Sequence, residues 1–202
     1  IIGTLGTESA AFGEAHRVEV VALFADLRGF TRLTESTRVD EVVGMLNEYF
    51  HVITEAAYRH EGTIFSMAGD SLLVGFNVPF AQADAAERAC RAAQGMVAGF
   101  APVLAGWTAH GGAPTGIGIG IASGEAILGN VGSPHYMSHT IIGDAVNTAA
   151  RLMQMAQPGE LLLSRPVYDS VRGTLDGQRV RFKGEVALRG RSGTIEVYSV
   201  TL

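Results

Sequence analysis

Two aspartates stand where apolar runs end. "VEVVALFA", Val18 to Ala25, is nearly continuous in apolar residues and rich in β-branched ones, the pattern of a buried strand. It ends at Asp26, and "DLRGFT" follows as a turn. "TIFSMAGDSLLVGF", Thr63 to Phe76, has two apolar runs flanking Ala68-Gly69-Asp70, which predicts a β-hairpin with an acid at its tip. Carboxylates at adjacent strand ends suit a hard divalent cation. Mg²⁺ takes oxygen ligands, keeps waters, and binds through one or two carboxylates plus substrate phosphates. Either aspartate alone is explained as well by a turn, where Asp is favoured. The pair, each member after a buried strand, favours metal binding.

Other residue sets point to an anionic, nucleotide-like ligand. Asn147 and Arg151 are four apart on one predicted helix and share a face. An amide and a guanidinium there can hold a ribose and a phosphate, Arg being a fork-shaped phosphate donor; a solvated helix face is the plainer explanation. "RGRSG", Arg189 to Gly193, is a basic, glycine-containing loop that can cover a triphosphate or simply be a solvated turn. The "GIGIGI" run lacks the strand-loop-helix setting of a dinucleotide fingerprint. His110, His135 and His139 lie in expected loops without metal-ligand spacing and read as surface residues.

The elements that must position these residues follow from periodicity. Val39 to His60 is helical, with Val42, Leu46, Tyr49, Phe50, Ile53 and Ala57 at steps of three and four, Ser36 or Thr37 as cap and Gly62 as stop. Ala81 to Leu104 is a second amphipathic helix, and Gly111 to Pro114 a loop. Thr115 to Gly132 alternates Gly and Ile, which suits a strand whose glycine face is approached closely by another backbone. Ser133 to His139 reads as a polar turn region. The next segment switches from strand to helix at Gly143-Asp144, with Asp144 as N-cap and Pro158-Gly159 as stop. "ELLLS", a short helix from Arg165 to Val171, and strands near Val180 to Leu188 and Gly193 to Val200 complete the chain. The order βαββαβ predicts an α+β fold with a ferredoxin-like core and extra C-terminal α/β elements. In that plan the first strand lies beside the hairpin, so Asp26 and Asp70 can reach one metal cluster.

Bulk properties bound the rest. The 202 residues predict one domain, residues 18–202, after a linker at 1–17 that arrives from an upstream regulatory region. Hydrophobic residues make up 47%, ample for a core. A net charge of −5 argues against a nucleic-acid partner. The one cysteine, Cys90, excludes an internal disulfide and suits a reducing compartment, so a cytoplasmic location is expected. No run of about 18 apolar residues predicts a membrane span. The chain begins Ile-Ile and reads as a fragment, which leaves membrane anchoring upstream open.

Taken together, four segments resemble the catalytic domain of class III nucleotidyl cyclases, the adenylyl and guanylyl cyclases. These are "VALFADLRGFT", "GTIFSMAGDSLLVGFNVP", "GNVGSPHYMSHTIIGDAVNTAARL" and "LRGRSGTIEVYSV", in family order from about Val18 to Val200. The resemblance implies the class III cyclase fold and a set of roles. Asp26 and Asp70 hold two Mg²⁺ or Mn²⁺ ions per site, with the Leu27 carbonyl as a further ligand. Asn147 orients the ribose, Arg151 stabilises charge on the α-phosphate, and Arg189 or Arg191 meets the terminal phosphates. The active sites form between two chains of a homodimer, one giving the metal aspartates and the other the base pocket, Asn and Arg. The ribose 3′-OH of ATP attacks the α-phosphorus in line and pyrophosphate leaves.

The base pocket departs from the family pattern. Ser66 stands four residues before Asp70, where adenylyl cyclases usually carry lysine and guanylyl cyclases glutamate. Phe65 stands where an acid is common, and Glu125 where some mammalian halves carry arginine. Thr140 matches the threonine of many bacterial adenylyl cyclases. A serine hydroxyl donates to adenine N1 or accepts from guanine N1–H, and no acid is present to take two guanine donors. The expectation is therefore ATP, with GTP or relaxed purine choice as the rival. A non-catalytic nucleotide-binding or dimerising module is a further alternative, against which the retained Asp26, Asp70, Asn147 and Arg151 speak. A diguanylate cyclase is disfavoured because "AGDSL" replaces that family's glycine run and paired acids.

Overall fold

The computed structural model describes residues 15–30, 34–35, 37–110, 112, 115–175, 178–187 and 193–202. The elements run β1 (His16–Leu27), α1 (Val39–Arg59), β2 (Thr63–Ala68), β3 (Ser71–Phe76), α2 (Ala85–Ala109), β4 (Ile117–Ser133), β5 (Tyr136–Ile142), α3 (Asp144–Met155), β6 (Glu160–Ser164), α4 (Arg165–Val171), β7 (Arg179–Ala187) and β8 (Thr194–Thr201). The sheet order is β2-β3-β1-β4-β6-β8-β7, with β5 paired to β4. The first four strands carry the ferredoxin-like arrangement, since β1 pairs antiparallel with both β3 and β4. The expected α+β fold is present.

Period two along β1 divides its residues between two cores. Val21, Leu23, Ala25 and Leu27 pack with Met45, Tyr49 and Ile53 of α1, Ala89, Ala93 and Met96 of α2, and Val167 and Val171 of α4. Val20 and Ala22 pack with Ala145, Ala149 and Leu152 of α3, and Phe24 joins them. The even positions thus face α3, and Asp26 is the next even position after Phe24.

The glycine pattern of β4 has a packing reason. A Cβ on Gly120 would lie 2.2 Å from the Met153 nitrogen and 2.3 Å from the Ala149 oxygen. The backbone of α3 rests directly on the strand, and only glycine leaves room for it. That close seat fixes where α3 presents Asn147 and Arg151.

Several local expectations are corrected. Ser133 to His139 is not a turn region: β4 extends to Ser133 and β5 begins at Tyr136, the two pairing from Ile127↔Ile142 to Ser133↔Tyr136. The strand forms on backbone pairing, so its polar sequence hides it. The N-cap of α1 is Arg38, in extended geometry with no side-chain cap, rather than Thr37; Ser36 lies outside the described residues. The N-cap of α3 is Gly143, and Asp144 is the first helical residue, where its charge still complements the helix dipole. The second helix begins at Ala85 rather than Ala81 and continues past Pro102 to Ala109. Gly62 does not supply the left-handed stop of α1; Glu61 does, at φ 59°. Gly62 is needed because a Cβ there would meet Val74 at 2.6 Å and Phe76 at 2.8 Å.

Candidate active site

β2 and β3 form a tight hairpin, with Ala68 paired to Ser71 around the two-residue loop Gly69-Asp70. Gly69 has φ 62°, and Asp70 is not in the positive-φ region. Glycine at the first loop position is what such a hairpin asks for, and it leaves the second position to Asp70. The tip is anchored from below: the Tyr49 hydroxyl donates to the Asp70 carbonyl at 3.0 Å. Tyr49 is fully buried in α1. Burial, followed by the charges of Asp26 and Asp70, pushes its phenol well above the ordinary range.

β1 brings Asp26 to the same place. The register of β1 with β3 runs to Ala25↔Leu72, which leaves Asp26 beside Ser71. The Ser71 hydroxyl donates to Asp26 Oδ1 at 3.1 Å. The Arg28 guanidinium donates to the other oxygen of Asp26 through Nη2. Asp70 feels Asp26 directly. Burial, a hydrogen bond with Asp26 and the Asp26 charge together push Asp70 up to about 7, against smaller opposing effects of its own backbone and of Arg28.

Two neighbouring carboxyl groups, the charge of Asp26 holding Asp70 up, form a set that a divalent cation relieves. Among the described residues no third His, Cys, Asp or Glu joins them in a cluster. A cation that keeps waters and takes further oxygens from a phosphate fits such a pair. Leu27, expected to offer its carbonyl, is a buried β1 residue paired with Ile117.

The remaining expected residues lie on neighbouring elements. Ser66 is exposed on β2, opposite Leu73, just after a bulge between Ile64 and Ser66. Thr140 is half-buried on β5, paired with Gly129 of β4. Their strands meet over Gly75, where a Cβ would touch Phe65 at 2.7 Å and Ile141 at 3.3 Å. Asn147 is exposed and Arg151 half-buried on α3. Arg189 and Arg191 lie outside the described residues. Two cavities of about 600 and 610 Å³, one beside Arg17, Glu125 and Ser164 and one between α1 and α2, contain none of these residues.

The histidines behave as expected of surface residues. His110 Nδ1 meets the Gly106 carbonyl at 2.8 Å, and His139 Nδ1 meets Asn130 Oδ1 at 2.9 Å. Sequence reasoning missed Arg28, Ser71 and Tyr49. Arg28 lies in the turn just after β1, and its partners on α3 are far away in sequence. Ser71 and Tyr49 needed the strand register and the helix rotation.

The description "Adenylate and Guanylate cyclase catalytic domain" matches residues 14–201. Among curated relatives, adenylate cyclase 1 of Rhizobium meliloti is 35% identical over 199 residues, covering 96% of this chain and 30% of that protein. The chain spans about a third of the length of the curated relatives it matches. Two solved structures are close in shape. The adenylyl cyclase CyaB from P. aeruginosa has a TM-score of 0.86 and 32% identity, covering 93% of this chain and 95% of that one. The guanylyl cyclase Cya2 has a TM-score of 0.82 and 31% identity, covering 92% and 93%. With the ordered motifs and the sheet that carries them, these likenesses mean that the chain belongs to the family of adenylate and guanylate cyclase catalytic domains.

Proposed function

We propose that this domain converts ATP to 3′,5′-cyclic AMP and pyrophosphate, as the output of a signal-transduction protein. The observation that carries the reading is the shared site of Asp26 and Asp70, built by β1 and the hairpin tip in a domain of this family. Its two carboxylates hold two Mg²⁺ or Mn²⁺ ions, with the Leu27 carbonyl as a further ligand. When bound, these ions lower the cost of deprotonating the ribose 3′-OH and stabilise the leaving pyrophosphate. Asn147 fixes the ribose so that its hydroxyl lies in line with the α-phosphorus. Arg151 donates to the α-phosphate oxygens where negative charge grows in the transition state. Arg189 or Arg191 holds the terminal phosphates. Ser66 and Thr140 meet the purine edge.

The active unit is a homodimer with sites at the interface, one chain giving Asp26 and Asp70 and the other giving Ser66, Thr140, Asn147 and Arg151. Support comes from the β4–β5 arm, which exposes Val131, Tyr136 and Met137, and from Met67, exposed on β2. Apolar side chains gathered on projecting elements favour a protein partner. An upstream regulatory region in the full-length protein controls the assembly. Among the described residues no helix is long and apolar enough to cross a membrane. A cytoplasmic catalytic domain remains our reading of its location.

A guanylyl reading stands second, because Ser66 carries no charge and Cya2, a guanylyl cyclase, is nearly as similar in structure as CyaB. The test is product analysis after incubation with ATP and with GTP, each with Mg²⁺ and with Mn²⁺. Cyclic AMP as the main product supports the proposal. Cyclic GMP as the main product transfers it to the second reading, and neither product refutes both.

A further inference from the structure

Arg28 ties the end of β1 to the last turn of α3. Its backbone is clamped to the segment before β4: the N–H donates to the Gly116 carbonyl at 2.8 Å, and its own carbonyl accepts from the Thr115 hydroxyl. Its side chain is only 18% exposed. Nη2 donates to Asp26 Oδ2 and lies 3.0 Å from the Met153 sulfur, while Nη1 donates to the Gln154 carbonyl at 3.4 Å. Gly118 makes room for it, since a Cβ there would lie 2.8 Å from Arg28 Nε. Nε itself is buried with no hydrogen-bond partner. A buried donor left unpaired is costly, so the side chain is held by what its other two nitrogens do.

Met153 and Gln154 belong to the last turn of α3, whose C-terminal carbonyls lack partners within the helix and favour a cation. The same helix carries Asn147 and Arg151. One guanidinium therefore grips a proposed metal carboxylate with one nitrogen and the end of the substrate-orienting helix with both.

We propose that Arg28 is a positioning residue that couples divalent-cation binding at Asp26 to the seating of α3. It rests on the shared-site reading above, and within that reading it has a consequence. Asp26 serves one active site, and α3 of the same chain serves the other. A cation that draws Asp26 away from Arg28 changes the hold on α3, so filling one site alters the second. Arg28 also competes with the cation for Asp26, because its charge already compensates that carboxylate.

The first test is Mn²⁺ binding to the nucleotide-free protein, followed by electron paramagnetic resonance of the free ion. Arg28→Met removes the competing charge and should tighten Mn²⁺ by about threefold to tenfold, the span from an exposed to a half-buried ion pair. Arg28→Lys keeps the charge and should stay within about twofold of wild type. Thermal unfolding of both variants accompanies the titration. A lower melting temperature with unchanged or weaker Mn²⁺ binding would mean that Arg28 only supports the fold, and overturns the proposal.

The second test uses mixed dimers of an Asp70→Asn chain and an Arg151→Ala chain, which together hold one complete site. Adding Arg28→Met to the Asp70→Asn chain leaves that site's own carboxylates untouched and can reach it only through α3. Turnover should fall about tenfold with the half-saturating metal concentration unchanged. An unchanged rate overturns the cross-site coupling. If the mixed dimer is inactive before Arg28 is altered, the shared-site reading fails and takes the cross-site coupling with it, and Mn²⁺ binding still decides whether Arg28 holds Asp26.

Discussion

The hydroxyl of Tyr49, in the middle of α1, supports the Asp70 carbonyl at the hairpin tip from 3.0 Å away. A core residue thus sets the height of a proposed metal carboxylate. Tyr49→Phe keeps the ring and its packing against Phe100 but strands a carbonyl at the tip. The expected cost is about 0.5–1.5 kcal/mol in chemical denaturation, the net worth of one such bond. Metal concentration at half-maximal activity should rise as well; an unchanged value would mean that the tip is fixed by the hairpin alone.

Gly120 is a second support far from the chemistry. Gly120→Ala drives a methyl into the backbone of α3 at Met153 and Ala149, where no side chain can move aside. We expect a loss of about 1–3 kcal/mol, as for other overpacked cores. Circular dichroism melts measure it, and the surviving folded protein should turn over more slowly because Asn147 and Arg151 shift with the helix.

Acid stability has a named contributor on β6. Burial tends to raise Glu160, but hydrogen bonds from Lys183, Ser199 and the Gln157 N–H outweigh it and hold the carboxyl below its ordinary value of 4.5. A depressed carboxyl contributes stability at pH values above its unfolded pKa and loses it as pH falls through the folded one. Wild type should therefore lose melting temperature below about pH 4.5. Glu160→Gln should be less stable at pH 7 and flatter on the acid side. Parallel acid limbs in the two proteins would discount the interaction.

The purine choice rests on Ser66. Ser66→Lys should sharpen preference for ATP, because an ammonium donates to adenine N1 and cannot accept from guanine N1–H. Ser66→Glu should move preference toward GTP. Mismatched polar groups left unpaired cost roughly 1–3 kcal/mol, so a shift of about tenfold to a hundredfold in relative kcat/KM is expected. Thr140 suits either base and blunts the swap. Equal ratios in all three proteins, with activity retained, would remove Ser66 from the base pocket.

What the sequence made readable was set by burial. Asp26 stands out because a buried strand ends at it, and the turn chemistry of Gly69 marks the hairpin that carries Asp70; the expectation that both hairpin strands are buried fails for β2, whose last three residues are exposed. Glycine alternation in β4 correctly announced a close backbone neighbour, though not which helix it was. The β4–β5 arm was misread because its residues face solvent and carry no alternating pattern; only backbone pairing defines it. Arg28 was hidden for another reason. Its partners at Met153 and Gln154 lie 125 and 126 residues away, and nothing local announces them.

The central claim is a two-metal cyclase site completed by a second copy of the chain. Asp70→Asn and Arg151→Ala, each prepared alone, should be nearly inactive with ATP and Mn²⁺. Mixed in equal amounts and allowed to exchange, they should recover about a quarter of the wild-type rate of cyclic AMP formation, since half the dimers then hold one intact site of two. No recovery despite demonstrated subunit exchange, or activity that stays linear in enzyme down to monomeric concentrations, would contradict the account.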